Sequence, residues 1–321
     1  MTRVLVDDRY RGTHGIGRYA AEVLPRLTVP WQDLGLDGTP FRPTDAFRSV
    51  PSAAAPDAVV YSPGYGALVR ARRQLLTLHD LIQLQAPGLS RWKFAAYYAG
   101  PVRRVVRRAG VVLTVSETSA RALREWVEDD AVEIVNAGNG CSDAFFPGDA
   151  ADAADPYLLF VGNGRAHKNL DTVLDALGSA RDVRLVAVVP AGEITELSAR
   201  ATQRGVGARV RWVSGVDDEQ LAGLYRGAAA TVMPSMLEGF GLPALESIRC
   251  GVPVLYWAGC EAVAEIVGER GWAVSSPDDA HEWADALTGA VSSARRVDPP
   301  EGYDWGRTAR IVSETISRML G

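Results

Sequence analysis

Three times along its 321 residues the chain runs from a short apolar stretch through a glycine-bearing loop into an amphipathic helix. The apolar stretches are residues 4–6, 157–161 and 228–233. The loops carry Gly15 and Gly17, then Gly162 and Gly164, then Gly239 and Gly241. A run this short, bounded by glycine or proline, reads as a strand buried on both faces. Further runs at 57–61, 74–80, 111–115, 132–135, 183–189, 210–213 and 271–274 alternate with helical patterns. Strands separated by helices imply parallel sheets covered on both sides. The spacing therefore predicts an α/β chain, and its length predicts about two domains. Residues 143–156 hold Pro, Gly, Asp and Ala, the composition of a linker. The boundary is expected near 150, giving domains 1–150 and 151–302, with a last helix beginning near 303.

The third of these stretches, 233–255, carries the most chemistry. Pro234 and Ser235 end the strand, and Glu238-Gly239-Phe240-Gly241-Leu242 forms the loop. Pro243 suits the first helical position, where its missing N–H costs nothing. Leu245 and Ile248 are expected to be buried, Gly251 to stop the helix, and Glu246 to lie in its first turn. Amides at a helix N-terminus attract an anion, typically phosphate, and glycine lets backbone approach it. Glu238 and Glu246 would repel phosphate, but they suit sugar hydroxyls, which need acceptors. An ordinary turn with a dipole-favoured glutamate is the plainer alternative. The second stretch repeats the arrangement with basic residues. Gly162-Asn163-Gly164-Arg165-Ala166-His167-Lys168-Asn169-Leu170 opens a helix reaching about Leu177. Arg165 and Lys168 would complement a diphosphate, and His167 reads as structural.

Two glutamates with seven residues between them, around Gly-Phe-Gly-Leu-Pro, resemble the donor-site motif of retaining glycosyltransferase family 4. The 161–170 segment resembles that family's Val-Gly-Asn…His-Lys-Asn-Leu version. The resemblance implies the GT-B fold, two Rossmann-like parallel-sheet domains facing a central cleft. It implies a retaining transfer of a hexose from a nucleoside diphosphate sugar to an acceptor hydroxyl, without metal. Lys168 would bind the donor diphosphate. Many members carry Arg directly after the first glycine, where this chain has Asn163, and Arg165 is expected to take that role. Glu246 would accept from the ribose and Glu238 from the hexose, with amides of Gly239, Phe240, Gly241 and Leu242 on phosphate oxygens. The family reads the base by backbone at a Gly-Val turn, here Gly215 and Val216. The 161–170 variant is frequent among mannosyl- and rhamnosyltransferases, so a mannose-like, GDP-linked donor is favoured.

In the N-terminal half the loop 9–18 places Gly15 and Gly17 where, in the family, backbone nears the donor phosphate or the acceptor. Arg9, Arg11 and Arg18 offer charge there or simply a solvated surface. Thr77-Leu78-His79-Asp80-Leu81 is similar to the family's His-Asp segment, which makes His79 the leading catalytic-site residue beside Glu238. Asp80 would orient His79 or cap the next segment. Ligands of open α/β sheets gather at the carboxyl ends of strands, where this pair falls. Asn136 to Gly140 is turn chemistry, similar to a family segment near the cleft. An irregular strand is expected near Phe41. Residues 91–108 read as a basic amphipathic helix that Pro101 should break or kink. Arg103, Arg104, Arg107 and Arg108 lie on one face, opposite Val102, Val105 and Val106. That face is a solvated surface or a peripheral contact with an anionic membrane.

Composition narrows the classes. A net charge of −5 argues against general nucleic-acid binding. Cys141, Cys250 and Cys260 make no disulfide framework and no CxxC pair, which suits a reducing cytoplasm, with the inner face of the membrane as the alternative location there. Residues 1–8 carry no signal-like core, and no run approaches the ~20 residues of a transmembrane span. The doublets Asp7-Asp8, Asp129-Asp130, Asp217-Asp218 and Asp278-Asp279 read as strand ends and helix caps, so no essential metal and no cofactor are expected. The acceptor, whether glycan, lipid-linked or small molecule, is not legible. Two other classes stay open: another GT-B sugar-nucleotide enzyme, an epimerase or phosphorylase, and a non-catalytic binding partner.

Overall fold

The computed structural model describes residues 4–12, 15–40, 43–48, 57–85, 91–148, 156–293 and 295–321. The chain divides into two compact units, Met1–Gly140 with Gly302–Gly321, and Cys141–Glu301. Composition had put the division near residue 150; residues 149–155, in that linker, lie outside the described residues.

The first unit contains β1 (Val4–Val6), β2 (Gln32–Asp33), β3 (Val59–Ser62), β4 (Arg73–Leu76), β5 (Val111–Thr114) and β6 (Glu133–Asn136). The pairings β2-β1-β3-β4 and β5-β6 are all parallel. A bridge from Thr77 to Leu113 joins the two sets. Parallel strands covered on both faces need continuous apolar sequence, and β1, β3 and β5 are buried throughout. The expected strand near Phe41 falls outside the described residues. The short β2 pairs instead through Gln32 and Asp33.

Residues 91–109 do not break at Pro101. Helix Arg91–Tyr97 passes through one wider π-turn, Tyr98–Val102, into helix Arg103–Ala109. Proline has no N–H to give, and a wider turn takes up the misfit. Much of the basic face serves internal ties. Arg107 donates to the carbonyls of Val127 (2.6 Å) and Glu128 (3.0 Å) at the end of helix Glu117–Val127, and Arg108 to Val69 O (2.9 Å). Arg103 lies over the Trp126 ring and reaches Glu128. The last helix, Trp305–Leu320, starts from an Asp304 cap and packs on helix Ile16–Val23. Ser313 Oγ accepts from Thr28 N at 3.0 Å.

The second unit contains β7 (Leu158–Val161), β8 (Leu185–Val188), β9 (Val210–Val213), β10 (Ala230–Met233), β11 (Val254–Trp257) and β12 (Gly271–Val274). All pair in parallel, in the order β12-β11-β10-β7-β8-β9. Counted within the unit this is 3-2-1-4-5-6 read from β9, the doubly wound Rossmann order. Its crevice opens where the winding reverses, between the first and fourth strands. Those strands are β7 and β10, and each is followed by one of the glycine loops.

Two glycines test the packing in opposite directions. A Cβ on Gly271 would lie 2.0 Å from Val254 O and 2.7 Å from Val267 Cγ1, whereas one on Gly289 would meet nothing within 4 Å. Gly271→Ala should destabilise by about 1–3 kcal/mol through overpacking. Gly289→Ala, inside helix Ala280–Ser292, should stabilise by about 0.5–1 kcal/mol. Urea midpoints of the two variants should move to opposite sides of the parent.

Candidate functional site

After β7 the chain turns through Gly162–Arg165 into a 3-10 turn, Ala166–Lys168, and then helix Leu170–Ser179. Asn169 takes the left-handed conformation at the join (φ 53°), which asparagine tolerates better than most residues. Its side chain holds the turn, donating to Pro277 O (2.6 Å) and accepting from Thr172 Oγ1 (2.9 Å). The loop backbone is braced as well. Glu193 Oε2 accepts from Gly164 N at 2.7 Å, and Asn163 Oδ1 accepts from Arg165 N at 3.1 Å. A Cβ on Gly164 would come within 2.8 Å of Leu197, so the glycine permits this close seat. The side-chain oxygen of Asn163 thus turns its own loop, while Arg165 is exposed and Lys168 half-buried.

After β10, Ser235 is buried, Met236 is 41% exposed and Phe240 is buried. Gly241 has φ 104°, and a Cβ there would press Val263 Cγ2 at 3.2 Å, so both backbone and space require glycine. Helix Leu242–Arg249 starts from Gly241, whose carbonyl accepts from Ala244 N and Leu245 N. Pro243 is therefore its second residue rather than its first, which still asks nothing of the missing N–H. Glu246 is the fifth residue, so it stands beyond the first turn where the spacing had placed it. Its Oε2 accepts from Tyr225 O–H at 2.9 Å. Tyr225 is fully buried, and burial together with the Glu246 charge pushes its phenol well above the usual range.

The two loops meet. Met236 N donates to His167 O at 2.7 Å, and Lys168 Nζ donates to Glu238 Oε1 at 2.5 Å. The pair is 15% and 11% exposed. Residues seventy positions apart in the chain are thus joined at the reversal of the sheet. Burial and Lys168 lower the His167 imidazole, with Glu238 opposing. Burial and then the Glu238 charge raise the nearby Cys260 thiol to about 12. Gly215 (φ 68°) and Val216 follow β9, and Asp217 opens a capping box with Gln220.

In the first unit, Gly15 (φ 59°) is the N-cap of helix Ile16–Val23. A Cβ on Gly17 would sit 2.7 Å from the Arg11 carbonyl carbon and 2.8 Å from Gly12 N. Gly17 therefore admits the chain's own backbone. The arginines of this loop do not supply loose positive charge. Arg9 is clasped by Asp7 (2.7 Å) and Asp45 (2.6 Å), Arg11 pairs with Asp8, and Arg18 with Glu22. His79 follows β4. Its Nε2 lies 2.9 Å from Pro63 O, so that nitrogen carries the proton and Nδ1 the lone pair. The ring meets the edge of Tyr19 at 4.7 Å. Burial lowers its pKa to about 4, against the Pro63 carbonyl. Asp80 Oδ1 accepts from Ile82 N (2.9 Å), so it caps the next segment. Sequence reasoning missed Tyr19, Glu193 and Tyr225, whose roles come from contacts across the fold; no local motif marks them.

The folds of both units are those of GT-B glycosyltransferases. Anabaena HepE, solved with UDP and glucose, superposes with a TM-score of 0.73 over 99% of this chain and 100% of its own, at 16% identity. WaaG, a glycosyltransferase involved in lipopolysaccharide biosynthesis, does so with 0.63 over 97% and 95%, at 15% identity. Residues 143–301 match the family described as "Glycosyl transferases group 1". The chain thus carries a group 1 glycosyltransferase domain, which fills nearly all of its second unit. Escherichia coli O-antigen chain mannosyltransferase B is 28% identical over 70% of this chain and 62% of its own length. A Mycobacterium avium D-inositol 3-phosphate glycosyltransferase is 33% identical over 67% and 53%. The chain spans between about half and two thirds of the length of these relatives.

The lowered His79 pKa sets an acid dependence. The folded protein resists protonating this ring, so its contribution is complete above the unfolded value near 6.5 and is lost as pH falls toward about 4. Relative to His79→Gln, the parent's urea midpoint should therefore decline across that window. A constant difference from pH 7 to pH 4.5 would contradict the burial argument.

Proposed function

We propose that the protein is a retaining hexosyltransferase of family 4, moving a mannose-like sugar from a nucleoside diphosphate to an acceptor hydroxyl without metal. The observation that carries this reading is the Lys168–Glu238 contact at the carboxyl ends of β7 and β10. An ammonium group for a diphosphate and a carboxylate for sugar hydroxyls stand there side by side, at the topological crevice. The anomeric carbon–oxygen bond breaks and its electron pair passes to the diphosphate. In this reading Lys168, Arg165 and the amides opening helix Leu242–Arg249 stabilise that charge. The acceptor oxygen bonds to the same face of the sugar, and its proton passes to the departing phosphate. Glu238 orients the hexose and Glu246 the ribose, with Tyr225 fixing the Glu246 carboxylate. His79, with Nδ1 as acceptor, is the first unit's candidate for holding a hydroxyl.

The mannosyltransferase relative supports a mannose-like donor; a GDP link is the reading's own choice of carrier, and the UDP-bound structure of the same fold makes UDP the first competitor. The acceptor in this reading is a glycan, a lipid-linked acceptor or a small molecule. No helix among the described residues is long and apolar enough to cross a membrane. The reading places the protein in the cytoplasm, with any contact at the inner face falling to Trp92, Lys93 and Arg104, which stand exposed.

The test is a thermal-shift series with GDP, UDP, dTDP and ADP, followed by turnover with the matching sugar nucleotide. A nucleotide at a hundred times its Kd should add about 2.7 kcal/mol of stability. Lys168→Met should abolish that gain. Glu238→Gln should keep nucleotide binding but cut turnover roughly a hundredfold or more. A chelator should leave turnover unchanged. Full turnover by a folded Glu238→Gln would overturn the assignment.

A further inference from the structure

The geometry points to Trp305 and Tyr19 as positioning residues for the His79 imidazole, so that the C-terminal helix sets the orientation of a site residue 226 positions earlier. The inference rests on the reading of His79 as part of the site. Three elements grip this residue. The Pro63 carbonyl, just past β3, takes the Nε2 proton at 2.9 Å. Ser119, on helix Glu117–Val127, donates its hydroxyl to His79 O at 2.8 Å. Tyr19, on helix Ile16–Val23, meets the imidazole edge-on at 85°.

The Pro63 and Ser119 bonds fix one ring nitrogen and the backbone. They leave the ring free to tilt about the Nε2 contact, and the Tyr19 ring is what opposes that tilt. Tyr19 is held in turn. It is 1% exposed, and Trp305 meets it at 6.0 Å and 76°. Trp305 has its own backstop in Gly140, where a Cβ would lie 2.4 Å from Trp305 N and 2.5 Å from Trp305 Cγ. The series Gly140, Trp305, Tyr19, His79 is therefore closely packed, and a change at its far end reaches the imidazole by contact. Edge-to-face aromatic pairs are worth about 0.5–1.5 kcal/mol beyond area burial, enough to favour one ring orientation over its neighbours. The indole Nε1 of Trp305 is buried without a hydrogen-bond partner among the described residues. Phenylalanine would keep the ring contact without that unpaired donor.

The chain has four histidines, His14, His79, His167 and His281, so their ring signals can be separated by 15N-resolved NMR of the intact protein. His79→Gln identifies the His79 signals by their loss. In the parent these should report a single Nε2–H tautomer. Trp305→Leu, shown folded by circular dichroism, should keep the Nε2–H tautomer held by Pro63 but shift the His79 carbon-bound ring signals and move the midpoint up from about 4. It should also lower kcat by roughly ten- to a hundredfold with donor KM unchanged, and Trp305→Phe should restore both the ring signals and kcat. Should Trp305→Leu fail to fold, Trp305→Met is read in the same way. His79 ring signals in the leucine or methionine variant that match the parent's would overturn the positioning role. Unchanged turnover in His79→Gln would instead overturn the role of His79 itself, while the ring signals would still decide whether Trp305 positions it.

Discussion

The contact between Lys168 and Glu238 is the constraint on which the second unit's site depends. Neither residue is remarkable alone. Each closes a loop that follows one of the two strands flanking the reversal of the sheet, and the hydrogen bond from Met236 N to His167 O draws the loops together beside it. A largely buried ion pair is weak evidence for stability, because desolvating both charges offsets most of their attraction. Its value here is geometric. It holds a cation and an anion at fixed positions where a ligand bearing phosphate and hydroxyl groups would need both.

The parts around the pair explain why that geometry holds. Gly241 takes a left-handed turn that seats Leu242–Arg249 against Val263. Glu193 braces the Gly164 amide. Arg200, which pairs with Asp171, comes from the same side of the sheet and ties helix Ile194–Gln203 to helix Leu170–Ser179. The loops can be short and glycine-rich because neighbouring elements supply the rigidity they lack. In the first unit the same division of labour recurs. His79 is placed by a carbonyl, a hydroxyl and an aromatic edge drawn from three separate segments.

The strands, the glycine loops and Lys168 and Glu238 as candidate residues could be read from the chain because each is marked locally; the order of the strands and the contact between those two residues could not. An apolar run of four residues, a glycine at a sharp turn and a proline at a helix start leave marks within a short window. What could not be read is whatever depends on contact at a distance. Glu246 sits past the first helical turn because the helix begins at Leu242, one residue before Pro243, and its partner Tyr225 lies 21 positions back. Arg9 carries the right charge for a phosphate, but Asp45, 36 positions on, claims it. The basic face of 91–108 looked like a surface because its acceptors, the carbonyls of Val69, Val127 and Glu128, carry no sequence signature.

The most direct test of the central claim is hydrogen exchange, read by mass spectrometry, with and without a saturating nucleoside diphosphate. If the two loops cradle the diphosphate as one site, amides in 162–170 and in 236–246 should slow together, by comparable factors and at the same ligand concentration. Protection confined to one loop, or to neither while the nucleotide demonstrably binds, would contradict the account.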